Sequence, residues 1–237
     1  MAIELTWIGW LSGITALGVF VFSIFFGLFA LYKSKKFKSN LLIYIGLVYI
    51  FAALVYTGDV LDFFTILITG TNMDNSTGII GLINWIWFPG AVFFAMVFGA
   101  YLLTPKKKWY IIIVYLILAV GFEFFLITDL SGSVTYTVPV PLGSDLINDN
   151  LVLESFASII AFIFMGSALV FLGFGFLRKG IQSTGIIKKK FLILSLAAFM
   201  YALGGILDGL FEPNFTLIFI RAAMAVSAVL FYYGTKA

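Results

Sequence analysis

Residues 8–38 read IGWLSGITALGVFVFSIFFGLFALYKSKKFK, and this stretch decides the fold class. Residues 8–32 carry no charge. At about 1.5 Å of rise per residue, a helix of that length covers more than the roughly 30 Å of a bilayer's hydrocarbon core. The run then stops on Lys33, Lys35, Lys36 and Lys38. Lysines flanking an apolar span stay in the cytoplasm, so the pattern predicts a permanent first span with the N-terminus outside. The preceding residues, MAIELTW, lack the positive leader of a cleavable signal peptide.

The same pattern recurs along the chain. Seven apolar runs are legible, at about 8–32, 41–68, 79–103, 109–128, 153–177, 191–211 and 215–234. Of the 237 residues, 62% are hydrophobic and 11% charged, against roughly 45–50% and about 25% in soluble domains. The expectation is an all-α integral membrane protein, a seven-transmembrane-helix bundle forming a single membrane domain over 1–237. Lys106 to Lys108, Arg178, Lys179, Lys188 to Lys190 and Lys236 fall on the same side as the first lysine cluster. That side is predicted to be cytoplasmic, with the C-terminus inside. Glu4, Asp74, Asp129, Asp145, Asp149, Glu154 and Glu212 fall on the other side. Trp7, Trp10, Trp85 and Trp87 are expected to mark the outer interface, with Tyr32, Tyr101, Trp109, Tyr232 and Tyr233 at the inner one.

Between the fourth and fifth runs, VTYTV (134–138) alternates with period 2 before prolines and Gly143 break it. A short outer strand or hairpin is predicted there, with a plain spacer as the alternative. Sequons at Asn75 and Asn214 lie on the predicted outer side and are candidate glycosylation sites.

Composition also excludes chemistry. The chain has no Cys and no His, so disulfides, thiolate nucleophiles, histidine-ligated haem and most zinc or copper sites are ruled out. No nucleotide-binding or hydrolase motif is present, and no enzymatic activity is expected. The formal charge of +3 reflects helix-flanking lysines, so the partners expected are membrane lipid and a protein, not nucleic acid.

Polar residues within apolar runs carry the functional reading. Arg221 interrupts IFIRAAMAV (218–226), and an unanswered arginine in hydrocarbon costs about 3 kcal/mol or more. Counting depth from the helix ends places Arg221, Asp59, Asp62, Glu123, Asp208 and Asn84 in the outer leaflet. Asp208 is the expected partner of Arg221, ahead of Asp59 and then Glu123, with the second and sixth runs flanking the seventh. The cluster is read either as a ligand or ion pocket or as a charge lock between helices, with Asp62 leaning to structure. Pro89 should kink the third run, because it offers no amide to the turn before it. Gly205 and Gly209, at GxxxG spacing, should let a neighbouring helix approach beside Asp208. AALVYTGDVL (52–61) and YALGGILDGL (201–210) share Ala, Leu, Asp and Leu in register, a pattern compatible with a 3+1+3 repeat.

Asp59-x-x-Asp62 and Asp208-x-x-x-Glu212 resemble the paired acidic motifs of membrane prenyltransferases, but they face outward and lack the basic residues that would hold a diphosphate. The N-out, C-in plan is similar to that of rhodopsins. The last run holds no lysine before Lys236, so no retinal Schiff base and no other cofactor is expected. WIWFPGAVFFAMVFGAYLLTPKKKW (85–109), RKGIQSTGIIKKKFLILSLAAFMYALGGILDGL (178–210) and IRAAMAVSAVLFYYG (220–234) resemble the seven-helix sensor region at the N-terminus of many histidine kinases. That resemblance implies a stand-alone receptor or sensor acting through a partner, with no kinase domain following Gly234. The alternatives are a small transporter or ion-conducting protein using the acidic cluster, and a non-catalytic subunit of a membrane complex.

Overall fold

The computed structural model describes residues 5–210 and 214–235. Its elements are α1 (Trp7–Phe37), α2 (Asn40–Leu54), α3 (Thr57–Thr69), α4 (Ile79–Trp85), α5 (Phe88–Leu103), α6 (Lys108–Thr128) and the single turn α7 (Leu130–Ser133). Strands β1 (Val134–Thr137) and β2 (Asn148–Leu151) follow. The chain then forms α8 (Phe156–Ser167), a π-helical segment (Ala168–Phe174), α9 (Gly175–Gln182), α10 (Gly185–Leu210) and α11 (Thr216–Thr235).

Among the described residues, six stretches are helical, apolar and long enough to cross a membrane: Trp7–Phe37, Ile79–Leu103, Lys108–Thr128, Phe156–Gln182, Gly185–Gly209 and Thr216–Thr235. The pair α2 and α3, bent by 41° at a short break, makes a seventh if it is counted as one span. The molecule is therefore an all-α, multi-pass membrane protein with six or seven candidate spans. Its outer faces fit that environment. Ile113, Ile117, Val120 and Phe124 of α6 and Ile14, Val21, Phe25 and Leu28 of α1 are all exposed. Surface of that kind is stable against lipid tails and not against water.

The break in the second run was not visible as such in its apolar pattern. The helix ends at Leu54, and the Thr57 hydroxyl donates to the freed Leu54 carbonyl at 2.7 Å. It restarts so that the Gly58 amide donates to Asn84 Oδ1 at 2.6 Å. Only glycine allows this approach, because a Cβ on Gly58 would lie 2.6 Å from Asn84 Oδ1 and 2.8 Å from the Ile80 carbonyl. The third run is interrupted at Ile86 and Trp87, with Pro89 in the first turn of α5. The interruption sits where the proline removes an amide from the preceding turn.

One end of the bundle carries the lysine loops, and the opposite end carries the ribbon. Within the ribbon Val134 pairs with Leu151 and Thr137 with Asn148, antiparallel. The predicted hairpin is therefore present, with a wide connection over 138–147. Asp62 pins that connection. It is fully buried and accepts from Met73 N at 2.7 Å, Asn72 Nδ2 at 2.9 Å and Ile147 N at 2.8 Å. Asn72 Oδ1 in turn accepts from Gly143 N at 2.7 Å. Thr6, which caps α1, ties the start of that helix to the same connection through its own amide and the Ser144 carbonyl, 2.8 Å apart.

The lysine half is closed by an aromatic core in which Tyr49, Phe98, Phe176 and Phe231 meet across α2, α5, α9 and α11. A second cluster, around Phe122, Leu126 and Phe164, joins α6 to α8 and reaches Val134 of the ribbon. Helix α11 lies against α10 and α1. The sixth run flanks the seventh as expected; on the other side the first run packs against it more extensively than the second, which still reaches it through Tyr49 and Ser227.

Candidate functional site

Arg221 sits in the second turn of α11 and is buried at 8% exposure. Its Nε donates to Asp208 Oδ1 at 3.0 Å. Its Nη1 donates to the Ser12 carbonyl at 3.0 Å and to Thr15 Oγ1 at 2.7 Å, both on α1. The guanidinium lies over the Tyr56 ring, with 5.2 Å from Cζ to the centroid. The Tyr56 hydroxyl donates to Asp208 Oδ2 at 2.6 Å. One arginine thus joins α1, the α2–α3 junction, α10 and α11. Every charge in this group has an oppositely charged or hydrogen-bonding neighbour, the condition for holding charge away from water.

Beside it lies a second polar group. Asn84 is oriented by the Gly58 amide, which its Oδ1 must accept. Its Nδ2 therefore faces two acids and donates to Asp59 Oδ1 and Asp149 Oδ1, each at 2.9 Å. Trp85 Nε1 donates to Asp149 Oδ2 at 2.7 Å. Trp85 is thus a hydrogen-bond donor to the site. Asp149 belongs to β2, and burial pushes its carboxyl above the usual carboxylate range, with the Asn84 and Trp85 hydrogen bonds partly offsetting that.

Both groups line one cavity of about 200 Å³. Its polar end, nearest the ribbon, is made by Asp59, Asn84, Trp85, Asp149, Asp208 and Arg221, with Asn148 and Asn150 of β2. From there it descends between Val48, Ala52, Ala91, Ala95 and Ala202. It ends among Ile45, Tyr49, Phe98, Leu172 and Phe231, which also belong to the core of the lysine half. Gly205 and Gly209 line it as well, and a Cβ on either would meet nothing within 4 Å. Among the described residues, the close approach expected of that pair is absent. The neighbouring Gly204 makes it instead, where a Cβ would lie 2.5 Å from Met224 Cγ.

Of the residues singled out from sequence, Arg221, Asp208, Asp59 and Asn84 come together here. Asp62 does not line the cavity and serves the ribbon connection. Glu123, on the lipid-facing α6, lies outside the group, and its Oε2 is buried with no hydrogen-bond partner among the described residues. Asn75 Oδ1 accepts from Ile80 N at 2.9 Å, at the start of α4, and the exposed Asn214 Oδ1 accepts from Thr216 N at 2.7 Å. Glu4, Glu212 and Lys236 lie outside the described residues. Sequence reasoning missed Tyr56, Trp85 and Asp149 as members of the site. Tyr56 was hidden because the break that turns it inward is a tertiary feature. Asp149 was hidden because a loop acid ordinarily signals solvent.

No family model, curated protein or solved structure matches the chain.

Proposed function

We propose that this is a seven-span receptor-like protein of the cell membrane, with the N-terminus and ribbon outside and the C-terminus inside. It binds a small ligand in the bundle cavity and acts through a protein partner in the membrane or at the lysine-rich loops. The observation that carries this reading is the cavity itself: polar at the ribbon end, apolar along its length, and floored by a packed aromatic core. Ligand sites commonly combine apolar walls with a few convergent polar groups. An ion or solute pathway needs polar groups continuing to the other face, whereas the floor here is Ile45, Phe98, Leu172 and Phe231. The lock around Arg221 supplies a coupling element. It ties four segments at the cavity wall, so a ligand that shifts Asp208 or Tyr56 moves α11 relative to α1.

Purified protein in liposomes tests this reading against transport. The expected result is no protein-dependent flux of sodium ions, protons or small solutes, together with saturable binding of a cavity ligand. Protein-dependent flux abolished by Asp59→Asn would overturn the receptor reading in favour of transport.

A further inference from the structure

We propose that the cavity takes an amphipathic organic cation, its amine held at Asp59 and Asp149 and its slender apolar tail lying along α2 toward Tyr49. The proposal rests on the ligand-binding reading above and adds the chemical class.

The head group follows from which charges are already answered. Asp208 uses both oxygens internally, Oδ1 for Arg221 and Oδ2 for Tyr56. Arg221 is correspondingly neutralised by Asp208. Asp149 accepts from Asn84 and from Trp85. Asp59 accepts only at Oδ1, from Asn84, while its Oδ2 has no partner among the described residues and the residue lines the cavity. The two acids bridged by Asn84 accept hydrogen bonds only from neutral donors, and the guanidinium nearby is already paired with Asp208. Among the described residues, the polar end therefore sets two carboxyls against no free cation and leaves one open acceptor. An anion placed there would meet two carboxylates and a guanidinium already paired. An ammonium would gain the counter-charge that these acids lack in a low-dielectric wall. A bare divalent ion is a poorer fit, since calcium or magnesium takes about six or more oxygens and the described residues hold no group of three acids placed for a metal.

The tail follows from shape. Asp59 and Ile45 both line the cavity, and the segment between them, most of it in α2 with the first turn of α3, covers about 20 Å at about 1.5 Å per residue. A cavity of about 200 Å³ drawn out over that distance is a slot. Ala52, Ala91, Ala95 and Ala202 face it with small side chains, which keep it open along that length. An elongated apolar slot suits an unbranched chain.

The experiment is calorimetric titration of the protein in lipid nanodiscs with octylamine, octanol and octanoate, corrected with empty nanodiscs. Octylamine is expected to bind saturably at one site, at least about tenfold tighter than octanol, with octanoate weaker still. Asp59→Asn should lower octylamine affinity by about tenfold and leave octanol within about twofold, which also shows that the variant is folded. Ala95→Phe, which fills the slot, should abolish binding of both. Equal binding of octylamine and octanol, both blocked by Ala95→Phe, overturns the cation assignment and leaves the ligand cavity standing. An amine preference unchanged in Asp59→Asn also overturns the assignment. No saturable binding of any of the three overturns both the assignment and the ligand-binding reading.

Discussion

Removing the Asp208 charge while keeping Arg221 should destabilise the protein more than removing both. Guanidinium remains protonated at every accessible pH, so deprotonation offers no escape from a buried site. Stranding one member of a buried ion pair typically costs about 3–5 kcal/mol. Two features reduce that here. Arg221 keeps the Ser12 carbonyl and Thr15 hydroxyl, and the paired side chains retain 9% and 13% exposure through the cavity. The expected loss for Asp208→Asn is about 2–3 kcal/mol. In Asp208→Asn with Arg221→Met no cation remains to be answered, and the Tyr56 hydroxyl can turn to the Met224 sulfur, already 3.8 Å away. The double variant should therefore lose only about 1 kcal/mol, a coupling of about 1–2 kcal/mol or more once the Arg221→Met single is included. Glu123 does not line the cavity, and Asp59 is engaged by Asn84 at Oδ1 alone, so the same cycle repeated on an Asp59→Asn background removes the acid that could answer Arg221 in place of Asp208. The assay is reversible unfolding in mixed micelles of wild type, both singles and the double. Additive losses would refute the reasoning, because they would mean that the two residues do not act as a pair.

Gly58→Ala should cost about 2 kcal/mol by forcing Asn84 and the Ile80 carbonyl apart, whereas Gly205→Ala should be neutral or gain up to about 1 kcal/mol from helix propensity; thermal unfolding in detergent compares them. Asp62→Ala removes the acceptor of two backbone amides and should speed hydrogen exchange at Met73 and Ile147 by tenfold or more, and unchanged protection there would deny Asp62 its pinning role. Cysteines at Ser76 and Ser183 should react with impermeant reagents from outside and inside respectively, and reaction from the same side would sink the seven-span topology. Asp149, with its folded value raised by burial, contributes stability that is fully present below the unfolded carboxyl value of about 3.9 and is lost as pH rises through the raised folded value. Unfolding measured from pH 4 upward should show that slope, and Asp149→Asn should flatten it.

The sequence by itself determined the membrane class, the helical segments and their approximate ends, because uncharged runs of spanning length have one stable solution in hydrocarbon. It also determined that Arg221 needs a carboxylate; depth alone favours Glu123, and Asp208 is preferred because its run is expected to adjoin the seventh, an adjacency that packing bears out. VTYTV was legible as a strand because its alternation is local. Contacts that depend on how helices are rotated about their axes were not legible. An all-round apolar helix carries almost no periodic signal of which face turns inward. Tertiary packing alone decided that α1 brings the Ser12 carbonyl and the Thr15 hydroxyl to Arg221. It decided that Gly204, one residue from the GxxxG pair, makes the close contact. It also decided that the second run breaks at Tyr56, bringing that hydroxyl to Asp208 and the Gly58 amide to Asn84. The same packing divided the acids. Asp59 and Asp62 lie one helical turn apart, yet one faces the cavity and the other clasps the ribbon connection. Asp149, far along the chain, joins Asp59 only because the ribbon folds back over the bundle.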